Sequence, residues 1–396
     1  MLRDFSFQAA FMGFLAAFAG FASSFAVILH GLTAVGASTD QAATGLMVSA
    51  LAMGLAGVFL AGFSKNPLSC AWTTPGAAFL AATGVPEGGF PVAVGAFIMT
   101  AIALTACGFI RPLGRLVAHL PDCLANALLG GILLTLCFAP FKAIAFDPLL
   151  GLPIFATWVV VGAFKRLLAA PAALIAFVLV VTFGVERPQG AFVDLAAAGL
   201  PPLHWIQPEF TLAGVIGLAM PLFIITMASQ NIPGIAAMRS FGYPLRPGLW
   251  FTTTGIASFI TAPLGGVAVN LAAITAAMCA GEDAHPDPKR RYWSAIVAGL
   301  FYCLFGLLAG FVTSFVALAP PILIQAVAGL ALIGAFSNAT LAAFSNPKDR
   351  EAAAVTFLMT AAGVTIAGIS GAFWGLVAGG AVFLLKRRFA PPSVSP

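Results

Sequence analysis

The sequence predicts an all-α polytopic membrane protein of about fourteen transmembrane segments, built as a 7+7 inverted repeat with broken third and tenth spans preceded by short extended stretches. Three observations carry this expectation. Of 396 residues, 61% are hydrophobic and only 8% charged, with a mean hydropathy of +1.03, whereas soluble domains carry roughly 25% charged residues. Charges, prolines and glycines cut the chain into apolar stretches near the ~20 residues that a spanning helix needs. Similar polar and proline signals then recur in the same order in both halves.

In the first half the apolar stretches are 7–34, 40–63, 68–84, 90–112, 122–141, 149–165 and 169–185. In the second they are 209–238, 247–262, 264–281, 292–317, 321–343, 350–368 and 371–386. The first run is too long for the core of a secretory signal and lacks a convincing cleavage site, so it reads as a span. The stretch 186–208, with Trp205 and His204 as interface anchors, reads as an extracytoplasmic link between the halves. Six cysteines lie in or beside apolar segments without CxxC or Cys/His spacing, and read as small buried hydrophobes rather than metal ligands.

Threading these segments with both termini cytoplasmic places sixteen of the 18 Lys and Arg residues inside, among them Lys65, Lys165, Arg166, Arg239 and Lys289, and leaves Lys142 and Arg187 outside. That positive-inside bias holds only if the short segments 68–84 and 264–281 each count as a crossing. Orientation is therefore the first explanation for nearly every basic residue.

The repeat is visible when "ASSFAVILHGLTAVGA" (Ala22 to Ala37) is laid over "ASQNIPGIAAMRSFGY" (Ala228 to Tyr243), and "NPLSCAWTTPGAAFLAATG" over "APLGGVAVNLAAITAAMCA". Copies with an odd number of spans run in opposite directions, the inverted-repeat plan of secondary transporters, whose sites lie near the midplane at interrupted helices. The third and tenth segments have that character. "LSCAWT" and "LGGVAV" suit extended chain. Thr74 then precedes Pro75 as an N-cap before a first-turn proline, with Asn270 as its expected counterpart.

Two helix starts facing each other inside the membrane would offer free N–H groups and two positive dipole ends to an anion such as a carboxylate. Kinked helices packed by small residues are the plainer alternative.

Extended backbone at membrane depth must be buried or line a cavity, so the first and eighth spans are expected beside it. Gln230 and Asn231 can donate to a carboxylate, or repair the helix where Pro233 frees a carbonyl. Ser23 and His30 share a face of the first span, and Trp72 can pack on an apolar ring. His30 is the one histidine within an apolar run, a proton-coupling candidate if it is not interfacial. Every Asp and Glu sits at a segment end or in a loop, so no carboxylate opposes an anion at the midplane.

The stretches "NPLSCAWTTPGAAFLA", "ASQNIPGIAAMRSFGY" and "GGVAVNLAAITAAMCAGEDAHPDPKRRYWSAIVAGLFYCLFGLLAG" resemble the BenE benzoate:proton symporter family over essentially the whole chain. That family is similar in fold to uracil/nucleobase and sulfate/anion transporters. The resemblance implies a core domain from 1–120 and 208–318, and a gate domain from 121–207 and 319–396. It also implies import of benzoate or a related aromatic carboxylate by proton symport with elevator-like movement, at a bacterial inner membrane.

Where nucleobase transporters of this fold carry glutamates on spans eight and ten, the chain offers Gln230 or Asn231 and Asn270. That departure argues against a nucleobase and leaves the proton site open. Expected substrate contacts are Thr74, Asn270, Gln230, Asn231, Ser23 and Trp72, with a small aromatic carboxylate, a proton and the lipid bilayer as partners. A homodimer is allowed, and neither nucleic acid nor cofactor is expected. Another transported anion is the alternative. An intramembrane enzyme lacks support, because HExxH, GxSxG and paired intramembrane aspartates are missing.

Overall fold

The computed structural model describes residues 4–110, 121–186, 199–367 and 369–389. Arg3, Arg111, Arg115 and Arg187, which enter the orientation argument, lie outside them, as does most of the expected link.

Helices dominate, and local chemistry sets their ends. Ser6 caps α1 (Phe7–Ala22), whose run stops where the Ser23 and Ser24 hydroxyls donate back to Gly20 O, at 3.2 and 2.7 Å. The chain continues as α2 (Phe25–Ala34), and the two together, Phe7–Ala34, make the expected single first span of 28 residues. A Ser38–Gln41 capping box opens α3 (Thr39–Ser64), which ends on left-handed Lys65 at φ 53°. Strand β1 (Cys70–Trp72) and helix α4 (Thr74–Thr83) follow, then α5 (Phe90–Phe109). Next come α6 (Asp122–Cys137), α7 (Ala139–Phe146), α8 (Pro148–Phe164) and, after a 3₁₀ turn at Arg166–Leu168, α9 (Ala169–Gly184).

The second half opens with one long helix, α10 (Leu212–Ser240). It contains two π-helical turns, Val215–Ala219 and Met227–Asn231, each ending two residues before a proline, Pro221 and Pro233. A proline has no N–H and crowds the carbonyl four residues back. A widened turn takes up the mismatch. After α11 (Pro247–Thr261) come strand β2 (Val269–Leu271) and the half-helix α12 (Ile274–Ala280). Buried Arg291 donates to Ala280 O at 2.7 Å and so closes the C-terminal end of α12.

The chain then forms α13 (Tyr292–Leu307), α14 (Ala309–Ala317), α15 (Pro321–Ala343), α16 (Arg350–Ala361) and α17 (Gly371–Phe389). A short ribbon, Thr365–Ile366 with Ile369–Ser370, separates the last two.

Among the described residues six helices are long and apolar enough to cross a bilayer, or seven if the pair bent by 52° at Leu308 counts as one. Those lengths carry a polytopic protein but not a count of fourteen. The extended stretches expected before the third and tenth spans are present as β1 and β2, which pair antiparallel with Ala71 opposite Asn270. Around that pair α1 and α3 pack on α13, α2 on α4 and α5 on α11, while α6, α15, α16 and α17 pack among themselves and α8 on α9. The link reaches the first set through Thr44 Oγ1 donating to Pro202 O at 2.7 Å and Ile206 N to Pro263 O at 2.8 Å.

Candidate substrate site

The paired strands hold two helix starts against one cavity. Beyond the β1–β2 register, Thr73 N donates to Ala268 O at 2.9 Å and Ala272 N to Ser69 O at 3.0 Å, which locks both ends of the crossing. Trp72 and Thr74 at the start of α4, and Ala272 to Thr275 at the start of α12, line a cavity of about 290 Å³. This is near the lower bound of the roughly 300–1,000 Å³ usual for small-molecule sites. Ser23, Gln230, Tyr302 and Met53 also line it, as do Arg166 and, from α15, Ala331 and Ala335.

The capping residue is Thr73, not Thr74: Gly76 N donates to Thr73 Oγ1 at 3.2 Å, and the same hydroxyl pairs with Thr226 Oγ1 at 2.9 Å. Thr74 occupies the first helical position, and its side chain is left to the cavity. Asn270 caps nothing. It is a fully buried strand residue outside the cavity lining, opposite Ala71 in the ladder. The half-helix α12 starts instead at Ile274 without a side-chain cap, so its first-turn N–H groups lack the partners that an N-cap would give.

The two neighbouring amides separate. Gln230 faces the cavity, and among the described residues its carboxamide has no partner. Asn231 is fully buried and turned away: its Oδ1 accepts from Leu271 N at 2.9 Å, and its Nδ2 lies 3.2 Å from Met227 Sδ. The π turn at Met227–Asn231 changes the angular spacing of the two side chains from that of an α-helix. Asn231 thus holds backbone in β2 rather than repairing the helix at Pro233.

Ser23 lines the cavity, and Trp72 is held by Nε1 donating to Ser24 Oγ at 2.8 Å and by its contact with Phe21, ring centroids 5.3 Å apart. His30, half-buried on α2, is not among the lining residues. Sequence reasoning missed Tyr302, Thr275 and Arg166. Thr275 Oγ1 donates to Ser69 Oγ at 3.1 Å, and Tyr302 is buried beside it on the cavity wall. Tyr302 carried a usable signal, since of three tyrosines it alone sits well inside an apolar run. Among the described residues no carboxylate lines the cavity, and no group of three metal-ligating side chains occurs.

Donor groups without an opposing acid, beside Trp72, Met53 and Met278, suit a small anion with an apolar body. The different tasks of the adjacent threonines are separable. Thr73→Val is expected to destabilise the solubilised protein by about 1 kcal/mol through loss of the cap, lowering the unfolding midpoint, while Thr74→Val leaves the midpoint in place.

The family profile described as "Benzoate membrane transport protein" (BenE) matches residues 3–385. "Inner membrane protein YdcO" of Escherichia coli is 39% identical over 381 residues, covering 96% of this chain and 95% of its own. "Benzoate membrane transport protein" of Acinetobacter baylyi is 30% identical over 380 residues, covering 95% and 94%. Two solved structures are similar in fold. The murine Slc26a9 anion transporter in its inward-facing state has a TM-score of 0.65 at 15% identity, covering 98% of this chain and 69% of that one. The transmembrane domain of the cyanobacterial bicarbonate transporter BicA has a TM-score of 0.58 at 17% identity, covering 96% of each chain.

Proposed function

The chain belongs to the BenE family of benzoate membrane transport proteins, and from that premise we propose that it imports benzoate or a close aromatic carboxylate by proton symport. It is a membrane transporter rather than an enzyme. The observation that carries the substrate class is the cavity between the starts of α4 and α12, supplied with hydrogen-bond donors and, among the described residues, free of carboxylates.

In this reading the carboxylate sits against the first-turn N–H groups and the Thr74 hydroxyl, Gln230 donates its amide, Ser23 lies alongside, and the ring packs near Trp72. Asn231 and Asn270 hold the backbone that presents those groups. The proton travels on His30, through water, or with the substrate as neutral acid. Fourteen crossings in a 7+7 inverted repeat, with both termini cytoplasmic in the inner membrane, fit the order of long, short and broken helices. The two packing sets then act as core and gate, and an elevator-like shift of one against the other exposes the cavity to each side in turn.

Uptake of labelled benzoate by the purified protein in liposomes tests this. Saturable uptake that rises when the outside is made acidic is expected, and no uptake under an inward proton gradient overturns it. A second reading, transport of another anion, draws on the fold shared with anion and bicarbonate transporters, and competition by a panel of anions separates the two. Within the benzoate reading, Gln230→Ala is expected to raise KM several-fold with an unchanged unfolding midpoint, because its amide has no structural partner to lose.

A further inference from the structure

Among the described residues Arg166 contributes the one charged side chain in the cavity lining. It belongs to the 3₁₀ turn between α8 and α9, which packs on those two helices rather than on the half-helices. Among the described residues it has neither an ion-pair nor a hydrogen-bond partner. Its guanidinium lies over α15 at Gly334, where an added Cβ would meet Nη2 at 3.9 Å. Together with Ala331 and Ala335, that glycine keeps the facing stretch of α15 small and leaves the guanidinium room beside the cavity.

A cation retained for orientation alone has no reason to face this cavity, and its neighbour Lys165 already supplies the positive charge that topology needs. An uncompensated charge at the mouth of a low-dielectric cleft raises the local concentration of the opposite ion. We propose that Arg166 recruits the carboxylate at the cavity mouth on its own side of the membrane and sets apparent affinity at that face alone. The inference rests on the reading of the cavity as an anion site. Its asymmetry follows from position: a group on the gate elements meets substrate only while the cavity opens toward it, whereas Thr74 and Gln230 meet substrate from both sides.

The test compares KM for labelled benzoate in right-side-out and inverted membrane vesicles carrying wild type, Arg166→Gln or Arg166→Lys. Arg166→Gln is expected to raise KM about fivefold at the face bearing Lys165 and Arg166 and to leave KM at the opposite face unchanged. Arg166→Lys restores the value, and high salt narrows the difference between wild type and Arg166→Gln. An equal shift at both faces, no shift at either, or an Arg166→Lys protein as impaired as Arg166→Gln overturns the proposal. Wild type that moves no benzoate overturns the substrate reading instead, and the same three proteins are then compared on whichever anion of the panel is carried. If none is carried, both readings fall.

Discussion

Asn231→Ala is expected to cut benzoate uptake at least tenfold and to lower the unfolding midpoint, although the residue does not touch the cavity. The Leu271 N–H that it accepts lies in β2, which is buried along its whole length, so water does not replace the lost acceptor. A buried donor left unpaired costs about 1–3 kcal/mol. Retreat of β2 from α10 relieves that cost, but β2 leads directly into the uncapped start of α12, so the wall of the site moves with it.

Asn231→Asp keeps an acceptor for Leu271 but places a carboxylate in the same buried space, where ionisation is penalised. It is expected to retain more uptake at acidic than at neutral pH, whereas Asn231→Ala is impaired at both. Thermal unfolding of the solubilised proteins, measured beside uptake, separates this from Gln230→Ala, which alters KM alone. Unchanged uptake and midpoint in Asn231→Ala would falsify the structural role.

How far the site was legible in advance depended on which interactions are local. Pro75 after threonine and the β-prone "LSCAWT" are local signals, and they led correctly to a strand followed by a half-helix. The cap fell one residue early because Thr73 and Thr74 are equally good capping types, and only the contact with Thr226 on α10 distinguishes them.

Asn270 was misplaced for a geometric reason. The alignment was fixed at Pro67 and Pro263, but Cys70 begins β1 three residues after the first, whereas Val269 begins β2 six residues after the second. A 3₁₀ turn at Ala262–Leu264 and left-handed Gly265, φ 80°, take up the added chain. Asn270 therefore falls opposite Ala71 in the ladder instead of at a helix start. Arg166 was invisible as a cavity residue because its charge was fully accounted for by orientation, and its approach to the half-helices depends on how α8, α9 and α15 pack.

The contact between α3 and α13 gives the largest expected effect on the folded protein. Gly54 and Gly299 face each other so closely that a Cβ on Gly299 would lie 2.5 Å from Gly54 O, and a Cβ on Gly54 2.5 Å from Gly299 O. Small residues permit such backbone approach in membranes, where helix association rests on packing rather than on expulsion of water. The obstructing atoms are main-chain oxygens, so no rotamer change relieves them and the helices must separate.

Gly299→Ala is expected to cost about 1–3 kcal/mol, read as a lower unfolding midpoint and a smaller monodisperse fraction after solubilisation. Gly380→Ala, with nothing within 4 Å of its added Cβ, leaves both unchanged. Uptake falls with Gly299→Ala as well, because Tyr302 sits one turn further along α13 on the cavity wall and moves with it. The two clashes share one cause, the distance between the same two backbones. Once α3 and α13 have parted for the first added methyl, the second meets a gap already opened, so the cost in Gly54→Ala/Gly299→Ala is expected to fall well short of the sum of the single costs. A strictly additive double mutant would mean that each methyl is accommodated by separate local shifts, and that the α3–α13 spacing is not the quantity the glycines set.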